Sequence, residues 1–366
     1  MKGGGAMPDT DSGKSKKKRR VRRIATILAA SLVGFTVAGV AATVVVYDSF
    51  FDRYERPDYS LYPGLYDYEK IRDTLPRELV SFPSGENTLQ GYYYPCRSAC
   101  GLVVLAHGFH AGADDYLPLI EGLVGGGYAV FTYDVTGTYS SEGDGTVGMC
   151  QSLVDLDAAL TFVKRTAPYS DMPLYLIGHS WGGYAAASAL ALHPEVRACA
   201  CIAPMNDGYR VMLEKAAEHA GAVAYTSKPV FDAYQSILFG DYVKYNGLMG
   251  VNSTDAHVLI AQGLDDTVIT PDGQSIYAHR DEITNPNVSY YIGEGEQGSH
   301  TGIWHSTAAE RYRMELEERM SSLEERMGRE MTDSERREFY STVDHRLYSE
   351  VNPELLARII ELYNNA

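Results

Sequence analysis

Basic residues are scarce over most of this chain. Of the 32 Lys and Arg in its 366 residues, nine fall within residues 1–23 beside two acidic ones, which leaves 23 basic residues against 46 of the 48 Asp and Glu beyond Arg23. The body therefore carries a net charge of about −23, and such a surface repels nucleic acid and anionic lipid headgroups. That acidity favours solubility and says nothing of mechanism. Cysteine is sparse too, at five residues, and a chain long enough to bury a large core does not need disulfides to fold. Cys96 and Cys100, on either side of a short Arg-Ser-Ala turn, are the pair that spacing favours. Cys199 and Cys201 lie two apart in a strand-like run and point to one face as small hydrophobes, and Cys150 is left over. There is no internal repeat. His300, His305, Glu294 and Glu296 stand near one another in sequence without a recognised metal-ligand spacing, so no metal and no cofactor are expected.

The exception to the scarcity of positive charge is a block from Lys14 to Arg23, which runs straight into an uncharged apolar stretch from Ile24 to Tyr47. As a helix, that stretch is long enough to cross a hydrocarbon core of ~30 Å. It predicts a single transmembrane anchor over 24–47, with residues 1–23 as a basic cytoplasmic tail, everything after Tyr47 outside, and Tyr47, Phe50, Phe51 and Tyr54 at the far interface. A cleaved secretory signal is the rival, with a cleavage site among Ala38, Ala41 and Ala42, but the apolar run exceeds the ~7 to 15 residues of such a signal's core. Residues 48–76, rich in Tyr and Pro and without a sustained period, read as a tether that folds onto one large domain, 77–366.

Within that domain, Glu78–Phe82 and Thr88–Tyr94 read as a hairpin. Apolar strand runs follow at Leu102–Ala106, Ala129–Tyr133, Leu174–Ile177, Ala198–Ile202, Val258–Ala261 and Val288–Ile292, alternating with helical patterns. This alternation predicts an α/β fold with a mostly parallel central sheet covered by helices on both faces, and catalytic groups at the carboxyl ends of its strands. About fifty residues between Asn206 and Asp255 exceed an ordinary connection of ~2 to 6 residues and predict a helical cap over the site. A C-terminal helical extension, about 307–366, opens with a charged helix, restarts at Thr332 and Asp333 with Glu335, and ends in a helix with Asn352 as N-cap and Pro353 at its first position. The charged helix reads as solvated, with an oligomerisation arm as the alternative.

Directly after the strand ending at Ile177 come Gly178-His179-Ser180-Trp181-Gly182-Gly183 and a small-residue helix. A strand, a GxSxG turn and a helix make the context in which a serine is held at a tight elbow, with the helix N-terminus aimed at a developing oxyanion. The Trp181 backbone N–H is expected as one donor to that oxyanion. Here the sequence resembles the α/β-hydrolases, in the branch that includes monoacylglycerol lipases and serine aminopeptidase-like hydrolases, over about Glu78 to His305 and the last helix. The resemblance implies a second oxyanion donor in the loop Leu102–Gly112, from the Phe109 N–H, and a structural His107. Asp134 to Gly143 are similar to the family's DxxGxGxSxG segment, with Thr138-Tyr139 where His-Gly is common, and Asp134 is expected to fix that loop.

A serine hydroxyl needs a base to take its proton, and the base needs a carboxylate to hold its tautomer. In the family's order of Ser, acid and His, Asp266 matches the acid of the GxxDxxV pattern, with Asp265 and then Asp207 as rivals. His300, in a glycine-rich loop after the last strand, is expected as the base, with His305 as its rival.

Together these residues predict a membrane-anchored serine hydrolase with Ser180 as nucleophile, acting on a small-molecule ester or a peptide, with no nucleic-acid partner. An ester hydrolase would use the cap aromatics Tyr225, Phe231, Tyr234, Phe239, Tyr242 and Tyr245 as an acyl pocket. A peptidase of the same fold would need a carboxylate to hold a peptide amine. A silent binding protein is the third reading, and it has no need of all three groups in order.

Overall fold

The computed structural model describes residues 22–23, 26, 39–41, 43–45, 47–62 and 65–366. The expected anchor over 24–47 falls largely outside the described residues, and among the described residues no helix is long and apolar enough to cross a membrane.

Eight strands form one sheet: β1 (Glu78–Ser84), β2 (Asn87–Tyr94), β3 (Leu102–Ala106), β4 (Ala129–Tyr133), β5 (Leu174–His179), β6 (Ala198–Ile202), β7 (His257–Gly263) and β8 (Val288–Gly293), in the order β1-β2-β4-β3-β5-β6-β7-β8. The hairpin β1–β2 joins antiparallel, and every pairing from β4 to β8 is parallel. The apolar runs in the sequence coincide with the strands to within two residues because strands β3 to β6 are buried on both faces and so show no alternation.

Successive residues of each strand serve opposite layers. Val103, Leu105 and Ile177 face α1 (Leu117–Gly125) and the last helix, whereas Leu102, Val104 and Leu176 face α2 (Gln151–Arg165) and α3 (Trp181–Ala189). Between β6 and β7 the chain inserts α4 (Gly208–Ala220), α5 (Lys228–Phe239) and α6 (Gly247–Asn252). After β8 come α7 (Thr307–Met327), α8 (Asp333–Ser341), the short α9 (His345–Tyr348) and α10 (Pro353–Asn364). Thr332 and Glu335 form a reciprocal cap on α8, and the Asn352 carboxamide caps α10. Leu355, Ile359 and Tyr363 bury one face of α10 against the sheet, where the Tyr363 hydroxyl donates to the Leu176 carbonyl at 2.7 Å. Most of α7 is solvated, and Leu316 joins Met331, Phe339 and Val343 in a small separate core.

The expected Cys96–Cys100 pair is not formed: all five cysteines are free thiols. The Cys96 thiol points instead toward the Val124 carbonyl at 3.6 Å. Cys199 and Cys201 do share a face of β6, with sulfurs 3.4 Å apart.

Candidate active site

β5 ends at His179 and α3 begins at Trp181, so Ser180 alone turns the chain, at φ 56° and ψ −114°. A side chain in this backbone region costs about 1–3 kcal/mol and persists only where its surroundings over-determine it. Here the Ser180 N–H is tied to the Ile202 carbonyl on β6 at 2.8 Å, and the side chain is carried above the carboxyl end of the sheet.

The loop after β8 brings His300 over this elbow, with Nε2 2.9 Å from Ser180 Oγ. Nδ1 of the same ring is 2.7 Å from Asp266 Oδ2 in the loop after β7. The Asp266 side chain is fully buried, and its other oxygen accepts the backbone N–H groups of Val268 and Ile269, each at 2.8 Å. Those two bonds hold the carboxylate, and the carboxylate in turn holds the proton of the imidazole on Nδ1, leaving the Nε2 lone pair to face the serine.

The rival residues do other work. Asp265 is exposed, with its carboxylate against Gly298. Asp207 caps α4 by accepting from the N–H groups of Tyr209 and Arg210. His305 is buried with Nδ1 2.8 Å from Glu310, and no hydrogen bond joins it to Ser180 among the described residues. Asp134 accepts from the N–H groups of Ala113 and Ser140 and from the Tyr92 hydroxyl, which fixes two loops; burial pushes its carboxyl up from the usual range.

Phe109 lines the cavity that Ser180 also lines, and Trp181 follows Ser180 in the chain. The loop after β3 places Phe109 edge-on to Trp181 with ring centroids 5.3 Å apart, and among the described residues neither the Phe109 N–H nor the Trp181 N–H has a partner. His107 supports this loop as a neutral ring. It accepts from the Val135 N–H at 3.0 Å and donates from Nδ1 to the Gly108 carbonyl at 2.8 Å, while full burial lowers its pKa.

The sequence left one connection unread. The Gly108 N–H donates to the Tyr116 hydroxyl at 2.9 Å, that hydroxyl donates to His179 Nδ1 at 2.8 Å, and His179 Nε2 donates to the His300 carbonyl at 3.1 Å. Desolvation first, and the neighbouring His300 second, push the His179 pKa down to about 3, so this ring keeps a single neutral tautomer. A chain of hydrogen bonds thus ties the loop carrying one N–H donor to the backbone of the residue facing Ser180. No local pattern reveals it, because Tyr116 and His179 are 63 residues apart.

Ser180 and His300 open on a cavity of about 430 Å³. Its walls include Tyr54, Tyr59 and Tyr66 from the chain before β1, Tyr139, and Arg313 and Tyr348 from the C-terminal extension. The expected acyl pocket of cap aromatics is not what lines it. Phe231 and Tyr234 pack on Tyr47, Phe239 lies against Gly148, and the Tyr242 hydroxyl donates to Asp157 at 2.5 Å.

A parallel sheet flanked by helices on both faces, with a strained serine at the elbow after β5, is an α/β-hydrolase fold. Residues 97–246 match the family model described as serine aminopeptidase, S33. Among solved structures the chain is similar to an esterase of Pyrococcus furiosus, at 18% identity and a TM-score of 0.51, covering 75% of this chain and 98% of that one. A second crystal form of that esterase gives 18% identity and a TM-score of 0.50, with coverages of 72% and 94%. An acylaminoacyl peptidase of Pyrococcus horikoshii is a looser match, at 16% identity and a TM-score of 0.46, covering 64% of this chain and 39% of that one. At these identities the likeness is one of fold alone. A search of curated proteins returns no match.

Proposed function

We propose that the chain is a membrane-anchored serine hydrolase that cleaves a carboxylic ester through an acyl-enzyme. The observation that carries this reading is the line Ser180 Oγ, His300 Nε2, His300 Nδ1 and Asp266 Oδ2, with steps of 2.9 and 2.7 Å between residues. Ser180 Oγ attacks the carbonyl carbon as its proton passes to His300 Nε2, and the oxyanion forms between the N–H groups of Phe109 and Trp181. On collapse the alcohol leaves with the proton from Nε2. Water then repeats the sequence on the acyl-serine and releases the acid, restoring Ser180 and neutral His300. Asp266 keeps the imidazole oriented and stabilises its charged form.

A peptidase is the second reading, favoured by the serine aminopeptidase model that matches residues 97–246. Binding a free amine calls for a carboxylate, and the two aspartates on the cavity wall are already engaged. Asp114 is held by Arg56 and Arg77. Asp115 accepts from the Gly112 N–H and from the hydroxyls of Tyr139 and Tyr59. This weighs toward the ester.

Labelling of the full chain with a fluorophosphonate probe tests the nucleophile. Wild type is expected to label, and Ser180→Ala and His300→Ala are expected not to. A folded wild type that stays unlabelled would return the protein to the class of silent binders. Turnover of p-nitrophenyl acetate against aminoacyl p-nitroanilides then separates ester from peptide substrates. The anchor rests on the apolar run 24–47 behind its basic block, and resistance of full-length protein to alkaline extraction from membranes tests it.

The Tyr116 bridge has its own consequence. Tyr116→Phe removes one acceptor and one donor at once, freeing the Gly108 N–H and the His179 ring. It is expected to lower kcat about 10-fold with KM nearly unchanged. An equal rise in KM would mean that the hydroxyl shapes the pocket rather than positioning His300.

A further inference from the structure

The room beneath the inserted helices is filled by the chain's own N-terminal segment. Tyr47 ends the apolar run, yet its side chain has no exposed surface. Its ring lies 5.7 Å from Phe231 and 5.4 Å from Tyr234 of α5, and Gln235 of that helix donates to its hydroxyl. The phenol end is pressed so closely on Gly148 that a Cβ there would lie 2.0 Å from its oxygen. The next residue, Met149, accepts the Trp181 indole N–H at 2.6 Å. One turn further on, Phe51 is also buried, 4.6 Å from Tyr47 and 5.6 Å from Phe109 between ring centroids. Its backbone is bonded in place, since the Thr146 N–H donates to the Phe51 carbonyl at 2.7 Å. A continuous run of rings therefore leads from α5 through Tyr47 and Phe51 to Phe109 and Trp181, the two residues that flank the candidate oxyanion.

The chemistry assigns sides to this arrangement. His300 must protonate the leaving oxygen, so the alcohol part of an ester occupies the open cavity, whose wall includes His300, Thr301 and Trp304. The acyl substituent then points away from His300, toward Phe109 on the opposite wall of the same cavity and the rings behind it.

We propose that Tyr47 and Phe51 are specificity-determining residues that set acyl length: they occupy the slot under α5 into which a longer acyl chain would extend, and so restrict the enzyme to short acyl esters. The proposal rests on the hydrolase reading of Ser180. It also places the end of the apolar run and the residues just after it at the substrate site, so that a domain cut at residue 48 would lose Tyr47 and part of that wall.

The test measures kcat/KM for p-nitrophenyl acetate, butyrate, octanoate and decanoate on the full-length wild type, Tyr47→Ala, Phe51→Ala and Tyr47→Phe. Wild type is expected to fall steeply beyond butyrate. Each Ala variant is expected to gain about 10-fold or more for octanoate relative to acetate, because methylenes that now enter an emptied apolar slot add binding in the transition state. Tyr47→Phe keeps the ring and is expected to retain the wild-type profile. Should an Ala variant lose fluorophosphonate labelling, the smaller cuts Tyr47→Leu and Phe51→Leu carry the same comparison. A wild type that already prefers octanoate, or truncated variants whose profiles run parallel to it, overturns the proposal. Absence of labelling in the wild type instead overturns the hydrolase reading beneath it.

Discussion

Asp266→Asn is expected to lower kcat on p-nitrophenyl acetate about 10⁴-fold while leaving the melting temperature close to that of the wild type. The reason lies in the donors around the carboxylate. Oδ1 accepts two backbone N–H groups, from Val268 and Ile269, and neither can be turned into an acceptor. An asparagine must therefore place its oxygen there and its NH₂ toward His300, where Asp266 now accepts from Nδ1 at 2.7 Å. Facing a donor, His300 would present a lone pair at Nδ1 and carry its proton on Nε2, the nitrogen that has to receive the proton of Ser180. The base would be held in the wrong tautomer, and the charge that stabilises the imidazolium would be lost as well. Asp265→Asn is the matched control. It is exposed and turned toward Gly298, and its activity is expected to stay within about twofold of wild type. A loss of less than tenfold in Asp266→Asn, or equal losses in both variants, would remove Asp266 from the mechanism.

What could be read beforehand divides along a physical line. The strands β3 to β6 were legible because burial on both faces writes an apolar run of strand length, and the elbow was legible because its glycines must sit next to the serine in the chain. Asp266 and His300 could be named because, after strands whose ends are visible in the sequence, they fit the order and the GxxDxxV pattern of the α/β-hydrolases that the chain resembles. The geometry then separates them from Asp265 and His305, which the sequence alone left as rivals. What stayed hidden was what different parts of the chain do to one another. Tyr47 looked like an interfacial aromatic, since nothing local shows that it packs beneath α5. The aromatics of α5 and of the turns on either side of it looked like a pocket lining because their pattern is the same whether the space beside them is empty or filled by a ring from elsewhere. The Cys96–Cys100 spacing permitted a bond that the fold does not form. Tyr116 and Arg313 reach the cavity only through the layering of helices on the sheet, and no residue spacing records that.

Gly182→Ala should cost about 3 kcal/mol of stability or more, and lower the melting temperature by about 5 °C or more in a domain of this size. Gly182 lies in the first turn of α3, where a Cβ would stand 2.0 Å from the Ala106 carbonyl oxygen and 2.6 Å from that of His107. Both obstacles are backbone at the end of β3, so no side chain can rotate out of the way. The helix would have to lift from the sheet, carrying the Trp181 N–H away from the Phe109 N–H, and activity should fall further than stability accounts for. Gly125→Ala provides the contrast: it ends α1 with nothing within 4 Å of a built Cβ and is expected to be neutral or to gain about 0.5 kcal/mol. The close approach of α3 to β3 thus serves two ends at once. It packs the centre of the fold, and it sets the distance between Trp181 and Phe109, the two backbone donors proposed to hold the oxyanion. If Gly182→Ala melted with the wild type, α3 would have slack against the sheet, and the rigidity of that donor pair would have to come from the Trp181 indole bond to Met149 instead.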